Sequence, residues 1–468
     1  MLPDDVLLEI FYFYLDDEDG DEDDGTKNRV DMWHTKVHVC RKWRNVVFGS
    51  PRRLNLRLRS TESTPVRAAL DIWPPFPIVL EVYICGFFDL LVESEWDTWD
   101  TDNIIAALEH NDRICEIEFD EFPRSQSGKV LPAMHQPFPA LTRLNLDFVG
   151  LIPVQPQADS FLGGSAPCLR YLRFYWIPFP GLPKLLLSAT HLVHLELLQI
   201  PDDGYIPSEA MATCLSVLTS LEILIIQFES PQSHPIRRLP PKTHTLLPVL
   251  TKLTFGGDDG YLEDLVAGID APLLDNLNIT FFYQHIFDTP RLMRFINRIP
   301  KFKGHSKANI DITDSNVSVT LLDGGCHLKI ECDDPDLQLS SLEQVCSLLF
   351  RQALNHAVEH LYITSHLSLF NWLQGIVESR QWLDLLHLFS AVKCLYISCE
   401  FALRIAPALE DLDGDSAKEV LPALQTIFLE ENALSGTVWE AIGQFVAARL
   451  LVGHPISVSG WERTILNN

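Results

Sequence analysis

One pattern of apolar and polar positions recurs along most of the chain: apolar-x-x-apolar-x-apolar. Its clearest copies are Leu141, Leu144 and Leu146; Leu169, Leu172 and Phe174; Leu192, Leu195 and Leu197; Leu221, Leu224 and Ile226; Leu250, Leu253 and Phe255; and Leu274, Leu277 and Ile279. Successive copies start 28, 23, 29, 29 and 24 residues apart. Weaker copies begin at Val79, Ile114, Val358, Val392 and Leu424. The last two apolar positions of each copy alternate with polar ones, which predicts a short strand with one buried face. Pro139, Pro167, Pro248, Pro272 and Pro422 stand two residues before the first apolar position; proline stops a preceding helix and suits the start of a strand. Helical spacing fills the intervals at 182–189, 208–218, 262–269, 290–299, 340–357 and 437–450. A strand–helix unit of this size cannot bury its own apolar face, so such units must stack. The expected class is α/β: an irregular solenoid with a curved parallel sheet inside and helices outside.

Two stretches depart from this rhythm. Residues 317–331 alternate on both sides of Asp323, Gly324 and Gly325, which reads as a β-hairpin inside an irregular region at 301–335. At the other end, Pro3 suits the first helical position, and Asp4 and Asp5 suit the first turn. Val6, Leu7, Ile10, Phe11 and Tyr14 follow as an apolar stripe. A second helix is expected over 31–48, with Trp33, Val37, Cys40 and residues 43–47 as its stripe and Gly49, Ser50 and Pro51 as its stop. Two short helices cannot bury so many large side chains against each other. They need a partner or a following domain.

The 468 residues are 47% hydrophobic and carry a formal net charge of -27, a surface that disfavours nucleic-acid backbones and anionic lipid. The acidic run at 16–24 reads as a solvated loop. Ten cysteines without a Cys-x-x-Cys pair, no basic leader and no long apolar run favour free thiols in a reducing compartment, cytoplasmic or nuclear. No phosphate loop, His-Glu-x-x-His or Gly-x-Ser-x-Gly occurs. His34 and His38 lie one helical turn apart but lack a third ligand. A non-catalytic binding protein with no cofactor or metal is expected.

The N-terminal residues carry a family resemblance. Leu2-Pro3, the spacing that ends at Ile10 and Phe11, and the run Val39, Cys40, Arg41, Lys42, Trp43 and Arg44 resemble the F-box. The match spans about 1–50, with an acidic insert at about 16–29 similar to inserts of the expanded fungal F-box families. The resemblance implies binding to the Skp-type adaptor of a cullin–RING ubiquitin ligase, through Leu2, Pro3, Leu7 and Ile10 and then Val37, Cys40 and Trp43. The remainder, 51–468, resembles an irregular leucine-rich-repeat domain of the kind that often follows an F-box. It departs from the consensus where asparagine or cysteine is usual, having Val149, Ile177, Ile200, Glu229, Asp258 and Phe282.

Side chains between the buried positions of each strand should face the concave side. Arg143, Asn145, Tyr171, Arg173, Tyr175, His194, Glu196, Lys252, Asn276, His360, Tyr362 and Tyr396 fall there. Arg143 and Arg173, on adjacent copies, are expected to form a basic patch. Tyrosine and arginine are enriched at binding hot spots, so this face is the candidate site for an unknown protein target. The whole reads as a substrate receptor of an SCF-type ligase, or as a repeat scaffold without ligase function.

Overall fold

The computed structural model describes residues 2–16, 33–50, 57–61, 66–72, 74–83, 101–150, 154, 159–230, 244–282, 289–322, 324–332, 334–349, 358–365, 379–412, 414–430 and 436–462. The acidic run beyond residue 16, the side chains of Tyr14, Trp33 and His34, Asp323 and residues 350–357 of the expected 340–357 helix lie outside the described residues. The chain forms two compact units, Met1–Ile206 and Pro207–Asn468. Both are mixed α/β arrays of stacked strand and helix units.

The first unit opens with three helices, α1 (Asp4–Asp16), α2 (Trp33–Val39) and α3 (Arg41–Gly49). The single helix expected over 31–48 is therefore two. Cys40 is extended at φ -163° and ψ 167°, and its thiol accepts the Trp43 N–H at 3.5 Å, capping α3. Arg44 spans the break, its side chain donating to the Val37 carbonyl at 3.2 Å. Leu7, Leu8, Phe11, Val37, Val46 and Val47 form the core, with Trp43 and Phe48 packed on it. The α1 stripe is rotated relative to expectation: Leu8 points in and Val6 points out. The following domain meets the need for outside apolar surface, because Phe76 completes this core and its ring lies 5.7 Å from that of Phe48.

Six strands follow, β1 (Leu58–Ser60), β2 (Ile78–Tyr83), β3 (Ile114–Pro123), β4 (Arg143–Val149), β5 (Tyr171–Tyr175) and β6 (His194–Ile200), each parallel to its neighbour. Helices α4 (Val66–Ile72), α5 (Asp102–Leu108), α6 (Arg124–Val130) and α7 (Leu182–Ser188) stand between them. The three apolar positions of successive repeats stack as buried columns; Leu144, Leu172 and Leu195 are one. Each such side chain stabilises the array by about 1.5–3 kcal/mol.

The prolines do not start strands. The N–H of Leu141 bonds the Phe138 carbonyl, Leu169 bonds Ala166, Leu250 bonds Leu247, Leu274 bonds Ala271 and Leu424 bonds Leu421, at 2.9–3.4 Å. Each is an i to i+3 turn with proline at i+1, where its fixed φ is already suitable. The turn delivers the first apolar residue to the core, and the strand begins two residues later. A recurring backbone tie precedes each strand: Thr142 N–H to Cys115 O, Arg170 N–H to Thr142 O and Val193 N–H to Arg170 O, all at 2.8 Å. At the consensus asparagine positions, Ile177 and Ile200 are simply buried.

In the second unit the sheet contains β7 (Ile223–Phe228), β9 (Lys252–Gly257), β11 (Asn276–Phe282), β12 (Lys307–Ile312), β13 (Asn316–Leu321), β14 (Cys326–Glu331), β15 (His360–Thr364), β16 (Cys394–Ile397), β17 (Thr426–Glu430) and β18 (Ser457–Trp461). Their order is β7-β9-β11-β14-β13-β12-β15-β16-β17-β18. β8 (Thr245–Leu246) and β10 (Ile269–Asp270) form a separate parallel pair. The hairpin expected around Asp323 is β13–β14, and it lies within the sheet rather than beside it. β12, which the sequence pattern did not mark, pairs antiparallel with β13, so a three-stranded meander joins the parallel runs on either side. Helices α8 (Ser208–Leu215), α9 (Asp259–Ala267), α10 (Pro290–Arg298), α11 (Pro335–Cys346), α12 (Ser379–Leu386), α13 (Cys399–Glu410), α14 (Gly414–Glu419) and α15 (Gly436–Leu451) complete the unit. Among the described residues no helix is long and apolar enough to cross a membrane.

Candidate functional site

Three surfaces bear on function: the helical module and the open sheet face of each unit. In the module, Leu7 and Val37 lie in the core, 4% and 0% exposed, so they hold the helices together instead of presenting a surface. Trp43 is half-buried and meets Phe11 edge-on at 4.9 Å. Leu2, Pro3 and Cys40 are exposed and Ile10 is half-buried. The Lys42 ammonium donates to the Leu2 carbonyl at 2.8 Å and pairs with Asp4 at 3.0 Å, which fixes the entry into α1. Leu2, Val6 and Val39 are 51%, 41% and 59% exposed. Val6 lies in the first turn of α1, and Val39 ends α2 just before the Cys40 break. The sequence placed Val6 in the inward stripe and Val39 in the motif but named neither as an adaptor contact, because an almost uninterrupted apolar run leaves the orientation of α1 open.

The sheet face of the first unit places the intervening residues in rungs. Glu116, Arg143, Tyr171 and His194 are register partners in one; Glu81, Glu118, Asn145, Arg173 and Glu196 are partners in the next. The guanidinium of Arg143 lies 3.7 Å over the Tyr171 ring, and Tyr171 lies 4.4 Å from the His194 ring. Glu118 accepts from Arg143 and, at 2.9 Å, from the Tyr83 hydroxyl. His194 meets Glu196 at 3.1 Å, and Arg173 lies 3.6 Å from Asp147 and 3.5 Å from Glu196. Arg59 pairs with Glu81 at 3.3 Å, and Arg57 with Glu116.

The expected basic patch is therefore absent. Among the described residues, the carboxylates of Glu81, Glu116, Glu118, Asp120, Asp147 and Glu196 are interleaved with the guanidiniums of Arg57, Arg59, Arg143 and Arg173, and Glu121 and Arg124 add one charge of each sign near Asp147. Arg143 and Arg173 are neutralised from the side by neighbouring strands. Burial pushes the Asp147 carboxyl up to about 6, against the lowering effect of Arg173. Burial, then the Glu81 and Glu118 charges, push the Tyr83 hydroxyl well above the usual range.

The second unit's face has a different character. Tyr362, Tyr396 and Phe428 are register partners on β15, β16 and β17. Their rings stack at 4.2 Å and 4.5 Å, with interplanar angles of 13° and 5°. That spacing is close to the separation of neighbouring strands. Trp461 meets Tyr396 edge-on at 5.6 Å and donates to the Ile397 carbonyl at 3.3 Å; His360 lies 6.2 Å from Tyr396. Phe428 was missed from sequence although it occupies the same intervening position as Tyr396. Trp461 follows no repeat copy and left no signal. Lys252 and Asn276 are register neighbours on β9 and β11, apart from this stack.

Cys399, Glu400 and Glu430 bring three possible metal-ligand atoms together among the described residues. The Glu430 carboxylate accepts the Cys399 N–H at 2.9 Å, which caps α13. Burial first, then the hydrogen bond and charge of Glu400, push the Cys399 thiol up to about 12, unlike a thiolate ligand. The arrangement is that of a helix cap.

No protein-family model matches the chain, and no curated protein is similar to it. Among solved structures, the chain is similar to TLR13 in a complex with ssRNA13, at 14% identity and a TM-score of 0.32, over 86% of this chain and 48% of that one. It is also similar to the leucine-rich-repeat-containing protein LegL7 from Legionella pneumophila, at 13% identity and a TM-score of 0.25, over 83% and 97%. The chain thus spans about half the length of the TLR13 chain. Likenesses this distant say nothing about what this chain binds.

Proposed function

We propose that this protein is the substrate-receptor subunit of an SCF-type cullin–RING ubiquitin ligase. In this reading α1–α3 act as an F-box that docks on a Skp-type adaptor, and the repeats hold a protein target. The observation that carries the proposal is the Leu2-Pro3 entry, tied by Lys42 to the start of α3, in a three-helix module that leaves Leu2, Val6 and Val39 exposed. In this reading the exposed apolar side chains are covered by the adaptor. The chain acts by geometry alone: it keeps target lysines near the ligase's charged conjugating enzyme and raises their effective concentration. No catalytic residue, cofactor or metal of its own is required, and neither nucleic acid nor membrane is a partner. A cytoplasmic or nuclear location belongs to the same reading.

Co-expression with a Skp-type adaptor tests the reading. Wild type is expected to co-purify with it, and the Leu2→Ala, Pro3→Ala double variant to lose it. Failure of the wild type to capture the adaptor, or equal capture by the variant, overturns the F-box assignment. A scaffold without ligase function is the second reading, favoured by the repeat architecture itself. Adaptor capture without cullin recruitment would select it.

A further inference from the structure

The charged sheet face of the first unit holds two polar groups whose hydrogen-bonding capacity is unmet. Asn145 and Asp147 project from β4 two residues apart, on the face shared with Arg143, and each is 9% exposed. Neither Asn145 Oδ1 nor Asp147 Oδ1 has a hydrogen-bond partner among the described residues. A buried acceptor left in this state costs about as much as a lost hydrogen bond, and it asks for a donor.

The nearest cation does not supply one. Arg173 lies between Asp147 and Glu196 at 3.6 Å and 3.5 Å, within ion-pair reach but beyond hydrogen-bond length. Arg143 is turned toward Glu118 and the Tyr171 ring. Glu81, Glu118, Asp120 and Glu196 surround the two acceptors on the same face. Arg124 also adds positive charge near Asp147, but its Nε donates to the Phe148 carbonyl, and neither it nor Arg173 donates to either acceptor.

We propose that this face docks a basic, extended segment of a protein partner, with one arginine or lysine side chain displacing Arg173 to donate to Asn145 Oδ1 and Asp147 Oδ1. A guanidinium carries five N–H donors and can serve both acceptors at once. Glu118 and Glu196 flank the site and take up neighbouring positive charges. The excess of carboxylates over guanidiniums on the face, together with the net charge of -27, draws such a segment in. The raised Asp147 carboxyl, at about 6, agrees with a site that a donor would relieve. The inference rests on the repeats being the target-binding part of the protein, and it names the chemistry of the target.

Fluorescence anisotropy on the full chain tests it. The probes are a fluorescein-labelled dodecapeptide of Arg, Lys, Gly and Ser, and its counterpart with every basic residue replaced by Glu. The basic peptide is expected to bind and to weaken with added salt, while the acidic one does not bind. Asp147→Asn should weaken binding by about tenfold or more, the loss of a charged hydrogen bond. Arg173→Ala should strengthen it, since the internal competitor is gone. Asp203→Asn, on the exposed turn that follows β6, should change nothing.

Equal binding of the two peptides, an unaltered Asp147→Asn variant, or weaker binding by Arg173→Ala overturns the proposal. Circular dichroism of each variant checks folding. If Asp147→Asn does not fold, the direction of the Arg173→Ala change decides. Adaptor capture, measured on the same preparations, reports the F-box reading separately, so failure of either leaves the other legible.

Discussion

Glu263 sets two opposing effects against each other, and its replacement measures the balance. It sits on α9, 5% exposed, and its carboxylate faces the start of α10. Pro290 has no N–H, so Arg291 and Leu292 carry the first orphan donors of that helix. Both carboxylate oxygens accept from Arg291 N–H at 3.0 Å, and one also accepts from Leu292 N–H at 2.7 Å. Glu263→Ala leaves two amides without an acceptor beside a helix dipole. Loss of a charged bond costs about 1.5–3 kcal/mol, and loss of an ordinary helix cap about 0.5–2 kcal/mol. Relief of carboxylate burial offsets part of this, so about 2–3 kcal/mol is expected. For a unit of this size that lowers the melting temperature by about 4–12 °C. Glu263→Gln keeps one acceptor and sheds the buried charge; it should stay within about 1 kcal/mol of wild type at neutral pH. The pH dependence has a definite sign. Burial is the largest influence on Glu263 and raises its pKa above the ordinary carboxylate range, so the folded state holds the proton more tightly than the unfolded chain. Stability from this group is complete below the ordinary value and is lost as pH rises through the raised one. The Gln variant should therefore gain on wild type across that window. Urea unfolding at several pH values, with hydrogen exchange at Arg291 and Leu292, reads all of this. An Ala variant that unfolds with wild type refutes the capping argument; a Gln variant as weak as Ala refutes the burial argument.

Three further outcomes follow from named contacts. Lys42→Met removes the tether to Leu2 and an exposed pair worth at most about 1 kcal/mol. The melting temperature should hardly move, yet calorimetric titration with the adaptor should show at least about tenfold weaker binding, because ordering two freed residues costs about 2–4 kcal/mol. Undiminished affinity would remove Lys42 from the docking argument. Gly325→Ala should cost about 3 kcal/mol or more: φ is +59°, and a Cβ would lie 2.2 Å from the Asp275 carbonyl oxygen, against the backbone that pairs Leu277 with Gly325. A wild-type urea midpoint would contradict this. Tyr396→Ala breaks both stacks of the aromatic ladder and should cost about 1–3 kcal/mol beyond its lost burial; a double-mutant cycle with Tyr362→Ala checks whether the two rings are coupled.

What could be read from the sequence divides along the line between local and non-local physics. The repeat columns were legible because Leu144, Leu172 and Leu195 obey a local period that only a one-sided strand satisfies. The helices at 182–189, 208–218, 262–269 and 290–299 were legible for the same reason, to within a few residues. The break at Cys40 was not: the apolar spacing runs straight through it, and cysteine is not a usual cap. β12 was hidden because its neighbours are set by an antiparallel meander and not by the repeat. The misreading of Arg143 and Arg173 has the same origin. Their positions on the open face were correct, but the charge of a face depends on what the register sets beside each residue. Glu118 reaches Arg143 only because β3 pairs with β4 in that register, ahead of an irregularity between Phe119 and Phe122. One-residue slips in such a sheet exchange faces entirely. The electrostatics of this face are consequences of strand pairing. A list of exposed arginines in an acidic chain suggests a basic patch; the paired strands set carboxylates beside the same residues.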